Sequence, residues 1–237
     1  MELGLAKRRD CFGVNSKELN DACRNVGLKF ITMANKMVEC GKFETAYEYL
    51  RRGVKVTKND FLLLQNMYKI MGSMEQKRKN YKLALHHLIY ALELESNISD
   101  MDHLRGPQIH LNICALASHL GKHKLAFYHA ERAIKILEDY EDEFNIVNEE
   151  LCQQEMSKVA SDEVETLAIA YYNAGVEQEH LNEFNFCHKY YTKGLALATK
   201  CFDSNHVLVK TLEQSINAVS KEKETLCSDN IENEIFT

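Results

Sequence analysis

Apolar positions recur along this chain with a period near 3.6 and are interrupted by short polar turns, which predicts a succession of amphipathic helices. Three segments repeat one pattern, KFETAYEYLRRGVKV, NYKLALHHLIYALEL and KHKLAFYHAERAIKI, with the small pairs Ala46/Gly53, Ala84/Ala91 and Ala126/Ala133 seven residues apart. A fourth copy, EFNFCHKYYTKGLAL, places Cys187 and Gly194 at the same points. Each copy follows a helical stretch of its own: LKFITMANKMVECG, YKIMGSMEQKRK, IHLNICALASHLG and IAYYNAGVEQEHL. Within these leading stretches a bulky residue stands four before a small one, as Phe30/Ala34, Tyr68/Gly72, His110/Cys114 and Tyr171/Gly175. Small residues let two helices approach closely while the bulky neighbour covers the gap. The unit is therefore a helix pair, and its repetition sets the architecture.

In these bulky-small pairs and small-small pairs the chain resembles the tetratricopeptide repeat superfamily, over roughly residues 28–200. The resemblance implies an all-α, right-handed α-solenoid of about four helix pairs closed by a C-terminal capping helix. The pairs fall near 28–58, 65–96, 107–138 and 168–201. No leading helix carries the tryptophan of consensus repeats, and none of the four pairs ends in proline. Spacing varies too: Ala46 to Ala84 is 38 residues, Ala84 to Ala126 is 42 and Ala126 to Cys187 is 61. An irregular natural array with insertions follows.

Residues 1–14, with the basic trio Lys7, Arg8 and Arg9, read as a flexible arm before an array spanning 15–203. Asn15 or Ser16 starts a helix running to about Glu39, longer than the repeat needs. Segment 139–161 has no counterpart in the other pairs and reads as an insertion, in which Leu151, Met156 and Val159 suggest a helix starting near Asn148 and continuing into the fourth leading helix as one long rod, either packed on the array or binding a partner. Residues 204–226 carry apolar places at Val207, Leu208, Leu212, Ile216 and Val219, the signature of a helix capping the last pair. The end, 227–237, reads as disordered.

Composition narrows the function. The single proline, Pro107, suits the first turn of a helix, where a missing N–H costs nothing. A formal net charge of −6 disfavours a nucleic-acid groove, which needs a basic face. No stretch is long and apolar enough for a membrane span or signal peptide. Eight cysteines without a CxxC pair, several at small helix positions, read as reduced compact hydrophobes, so a eukaryotic cytoplasmic compartment is expected, with cytoskeletal association open. No Walker loop, HExxH or paired-cysteine signature is present. His110, Cys114, His119 and His123 are the one grouping with a metal-site look, and it lacks ligand spacing. No cofactor, no metal and no catalysis are expected.

A face for a partner can be read from helix geometry. Residues of the leading helices that turn away from their own trailing helices should line the inner wall, and the leading contacts there are Asn35, Asn66, Lys69, Leu111, Asn112, Tyr172 and Asn173. HLNIC and YYNAG place Asn112 and Asn173 identically in consecutive pairs. A carboxamide both donates and accepts, so it can hold one peptide unit of a bound backbone. Kinesin light chains and related cargo adaptors are similar in using asparagines at this place, and CFDSNHVLV resembles their inter-repeat link at His206 and Val207, though Phe202 and Asp203 depart from it. The carboxylate clamp of chaperone-binding co-chaperones fits less well, since Ile31, Ile70, Gln108 and Asn112 stand where basic or amide residues would be needed. The expected function is a scaffold that binds a peptide segment of another protein in a concave groove, as part of a multiprotein complex. The alternatives are a structural subunit of a cytoskeletal or ciliary assembly and, less favoured, a co-chaperone.

Overall fold

Where each leading helix must stop, the chain makes the same turn. Gly41, Lys79, Gly121 and Asn182 all have positive φ, at 70°, 62°, 67° and 61°. At each, the residue's own N–H reaches a carbonyl three back and the next N–H reaches a carbonyl five back: Gly41 to Val38 at 3.0 Å and Lys42 to Met37 at 2.8 Å, through to Asn182 to Glu179 at 3.0 Å and Glu183 to Gln178 at 2.9 Å. This is the Schellman arrangement, which satisfies the carbonyls that a helix end leaves open. The first small residue of each trailing helix, Ala46, Ala84, Ala126 or Cys187, lies five residues later every time.

The computed structural model describes residues 2–13, 16–95, 97–98, 105–147 and 156–235, with the backbone alone described at 2, 12, 105, 140–147, 156–161 and 223–235. Ten helices and no strand are present among these residues: α1 (Glu2–Phe12), α2 (Lys17–Glu39), α3 (Phe43–Val56), α4 (Phe61–Lys77), α5 (Tyr81–Glu95), α6 (Arg105–His119), α7 (His123–Val147), α8 (Met156–His180), α9 (Phe184–Cys201) and α10 (Val207–Ile235). The pairs α2/α3, α4/α5, α6/α7 and α8/α9 are the four repeats, and their members pack on one another. Side chains cap the starts of α2 and α4. Ser16 accepts from the Leu19 N–H at 3.2 Å and Asp60 accepts from the Leu63 N–H at 3.1 Å, the second also pairing with Arg24 at 3.1 Å.

The chain forms two compact units, Met1–Met101 and Asp102–Thr237. In the first, Ile31 and Ala34 of α2, Ala46 and Leu50 of α3, and Leu63, Met67, Met71 and Met74 of α4 make the core. In the second, α6, α7 and α8 enclose an alanine-rich core around Ala126, Ala130, Ala133, Ala170 and Tyr171. A further cluster joins Ala168, Cys187, Tyr191 and Ala198 to Val209, Leu212 and Val219 of α10. The small residues bring the helices close. At Gly175 an added Cβ would run into the ring of Tyr191, a fully buried side chain.

Several expectations change. Residues Glu2–Phe12 form helix α1 against α2, where Leu5 and Ala6 find partial cover despite Gly4. Segment 139–161 holds no separate inserted element among the described residues. Here α7 runs on to Val147, and α8 runs from Met156 through the fourth leading helix to His180; the start near Asn148 lies outside the described residues. Helix α10 continues through the segment expected to be disordered as far as Ile235, and Thr237 lies outside the described residues. Its buried face also differs by one place. Val209, rather than the 76 % exposed Val207, joins Leu212 and Val219 inside, since Val207 sits at the first position of the helix. The link before it is ordered by His206, whose Nδ1 accepts from the Leu208 N–H at 3.3 Å while its ring stacks on Phe202 at 4.0 Å.

Candidate protein-binding face

The four left-handed turns align the leading helices residue for residue. Counting back from each, the ninth place holds Thr32, Ile70, Asn112 and Asn173, and the tenth holds Ile31, Lys69, Leu111 and Tyr172. The sixth place holds Asn35, Ser73, Ala115 and Val176, and the thirteenth holds Leu28, Asn66, Gln108 and Ile169. Burial separates these rows. Ile31 and Leu111 are buried, at 7 % and 6 % exposure, whereas the sixth, ninth and thirteenth places are all exposed or half-buried. In α2 and α6 the tenth place thus turns toward the core, Lys69 and Tyr172 are half-buried at the same place, and the other three rows make the open face of each helix.

The residues expected to contact a partner fall accordingly. In the first unit Asn35 and Asn66 are exposed, and Lys69 is half-buried beside Glu95, whose carboxyl is raised by burial and pulled back by that lysine. In the second unit α6 and α8 touch directly, and each presents its asparagine half-exposed. Neither the Asn112 nor the Asn173 carboxamide hydrogen-bonds to another described residue. Tyr172 is half-buried with its ring 5.8 Å from that of Tyr191, and burial and Glu179 push its hydroxyl above the usual range, so it stays a neutral donor. Leu111 lies in the core with Ala130 and Tyr171, where it supports the face without presenting much surface.

The histidines have structural employment. His110 and His129 are both buried, with their Nδ1 atoms 2.8 Å apart, so one imidazole donates and the other accepts. Burial, then His129 and Arg132, lowers His110 to about 4, and burial lowers His129. His123 Nδ1 lies 2.8 Å from a carboxylate oxygen of the buried Glu177, and its ring stacks on His180 at 4.2 Å. No group of three or more metal-ligating side chains gathers among the described residues. Cys114 and Cys187 are buried, and burial foremost pushes both thiols up to about 12, which makes them packing residues rather than nucleophiles.

Helix pairs with this register are the fold of tetratricopeptide-like α-solenoids. The solved structures similar to this chain include BtubC (BKLC) from P. vanneervenii, at a TM-score of 0.60 and 16 % identity, covering 88 % of this chain and 80 % of that one. The nearly identical TPR-like repeats of a putative kinesin light chain from Podosopora anserina match at a TM-score of 0.58 and 9 % identity, over 83 % of this chain and 86 % of that one. A signal transduction ATPase with numerous domains from Pyrococcus horikoshii, which carries a tetratricopeptide repeat sensor, matches at 0.56 and 16 % over 85 % of this chain but 27 % of that one. No protein-family model and no curated protein matches the sequence. At these identities the likeness establishes the fold, and it places kinesin-light-chain-like repeats among the structures sharing it. No helix among the described residues is long and apolar enough to cross a membrane.

Proposed function

We propose that this chain is a non-enzymatic cytoplasmic scaffold that binds a segment of another protein along the open faces of its leading helices. The observation that carries the reading is the pair Asn112 and Asn173. They stand at the same place in neighbouring leading helices, half-exposed, with carboxamides unspent on other described residues. Each could donate to and accept from one peptide unit, at a net gain of about 0.5–1.5 kcal/mol per hydrogen bond, a strength suited to a reversible complex. Tyr172 beside Asn173 adds aromatic surface with a neutral hydroxyl, and Asn35, Asn66 and Lys69 extend the same chemistry in the first unit. The partner is a protein, and the formal charge of −6 argues against nucleic acid.

The test is affinity capture from the native cell, quantified for the wild type and for Asn112→Ala combined with Asn173→Ala. Proteins enriched by the wild type should fall by at least about tenfold with the double variant, which loses up to four hydrogen bonds, while helicity by circular dichroism is unchanged. Undiminished capture by a folded double variant would move the interface off this face.

A further inference from the structure

Across the trailing helices of the second unit lies a cleft of about 490 Å³, walled by α7 and α9 and floored by Tyr171 of α8. It belongs to a different side chain set from the asparagine face. Two large aromatic side chains stand at its rim in solvent, Tyr128 of α7 and Phe186 of α9, each 54 % exposed. Exposed aromatics grouped around a cavity are unusual on a solvated surface, because each leaves apolar area in water that a neighbour could cover.

The charges in the cleft are unevenly committed. Its two carboxylates are engaged from within: the Tyr190 hydroxyl donates to Glu131 at 2.9 Å, and the Tyr171 hydroxyl donates to Glu138. Lys193 completes that second group, donating to the Tyr171 oxygen at 3.1 Å and pairing with Glu138 at 3.6 Å. Arg132, Lys135 and Lys189 also line the cleft, are exposed, and pair with no described carboxylate. The cleft therefore offers three unspent cations beside two exposed rings, on a chain whose net charge is −6. A concentrated positive patch on an otherwise acidic protein attracts acidic partners.

We propose that the cleft between α7 and α9 is a second docking site, for an acidic segment of another protein that carries an aromatic side chain. The ring of the segment enters over Tyr171 between Tyr128 and Phe186, and its carboxylates reach Arg132, Lys135 and Lys189. Arginine suits this work through its paired N–H donors, and the two lysines add point charges on flexible stems.

The probe is a fluorescein-labelled peptide of alternating Glu-Asp pairs and Phe, titrated with the full chain by fluorescence anisotropy at low and physiological salt. A matched peptide with Gln-Asn in place of Glu-Asp and another with Ala in place of Phe serve as the comparisons. The acidic aromatic peptide should bind saturably, more weakly at higher salt, and at least about tenfold more tightly than either comparison. Lys135→Glu with Lys189→Glu should weaken it by at least about tenfold, and Tyr128→Ala with Phe186→Ala by a similar factor. Should charge reversal disturb helicity, Lys135→Gln with Lys189→Gln asks the same question with less perturbation. Asn112→Ala with Asn173→Ala should leave this binding unchanged, which separates the cleft from the asparagine face. Absence of binding at low salt, equal binding of the Gln-Asn peptide, or indifference to the loss of Tyr128 and Phe186 overturns the proposal.

Discussion

Lys79 turns the second leading helix off in a backbone region where its Cβ crowds the following carbonyl. That conformation costs an L-residue roughly 1–2 kcal/mol, and glycine escapes it at the expense of a more flexible unfolded chain, about 0.5–1 kcal/mol. Lys79 is exposed, and the turn is held by its backbone N–H and that of Asn80. Lys79→Gly should therefore raise stability by about 0.5–1 kcal/mol, read as a higher urea midpoint with an unchanged slope. Of the four stops, Gly41 and Gly121 carry the glycine that marks a left-handed helix end, whereas at Lys79 and Asn182 the sequence shows the end of the helical stretch without a glycine to mark the turn. Tertiary packing at Ala84 and Cys187 dictates the turn there, and a lysine carries no local sign of it.

The buried pair His110 and His129 gives a second consequence at this scale. In the unfolded chain both imidazoles take up protons near pH 6.5, while the folded chain resists protonation, at His110 until about pH 4. The unfolded state thus binds more protons across that interval, so stability is complete above pH 6.5 and is lost as pH falls through it. The slope from His110 should approach about 1.4 kcal/mol per pH unit between pH 6 and 5, and His129 acts in the same direction. Denaturation curves at stepped pH check it, and His110→Leu with His129→Leu should flatten the dependence, leaving the contribution of His87, whose imidazole is also lowered by burial. The sequence shows His110 within a candidate metal grouping. Its true partner, nineteen residues on in a trailing helix, becomes visible only once the pair α6/α7 has closed.

Among elements, α8 and α9 cross at close quarters. Gly175 faces the ring of Tyr191, whose hydroxyl donates to Glu179 at 2.8 Å and so cannot swing aside freely. Alanine would improve helix propensity by about 1 kcal/mol, yet overpacking a closed core costs typically about 1–3 kcal/mol. Gly175→Ala should accordingly lower the unfolding midpoint, by a net of about 1 kcal/mol. This crossing was readable, since the Tyr171/Gly175 pair repeats the bulky-small spacing of the other leading helices. Helix length was not. No glycine or proline occurs between Gly121 and Gly175, so nothing local marks where α7 ends or α8 begins, and the acidic run after Leu137 continues the helix instead of breaking it. Helix α1 escaped notice for the related reason that a short basic helix carries almost no apolar periodicity.

For the whole molecule, two compact units with separate cores carry one repeated register. Because Asn112 and Asn173 are half-exposed and make no described hydrogen bond, the double alanine variant should bind its partner less well while unfolding within about 0.5 kcal/mol of the wild type. A structural role for either amide would instead cost more, since an unsatisfied buried group is expensive. The cleft of α7 and α9 was invisible in the sequence, because Lys135 and Lys189 are ordinary surface residues until two helices place them beside the same rings. The two proposed faces differ in chemistry, one amide-rich and one cationic and aromatic.

The recurrent stop also bears on how such a chain can change over time. Turn and small residue remain five apart in all four pairs, while the distance from one turn to the next stretches from 38 to 42 to 61 residues. Growth has been confined to the ends of the hairpins that lie away from the stop. A hairpin fixed at one end and free at the other is a telescoping part: it can gain or shed whole helical turns at its open mouth and still hand its neighbour an unaltered socket.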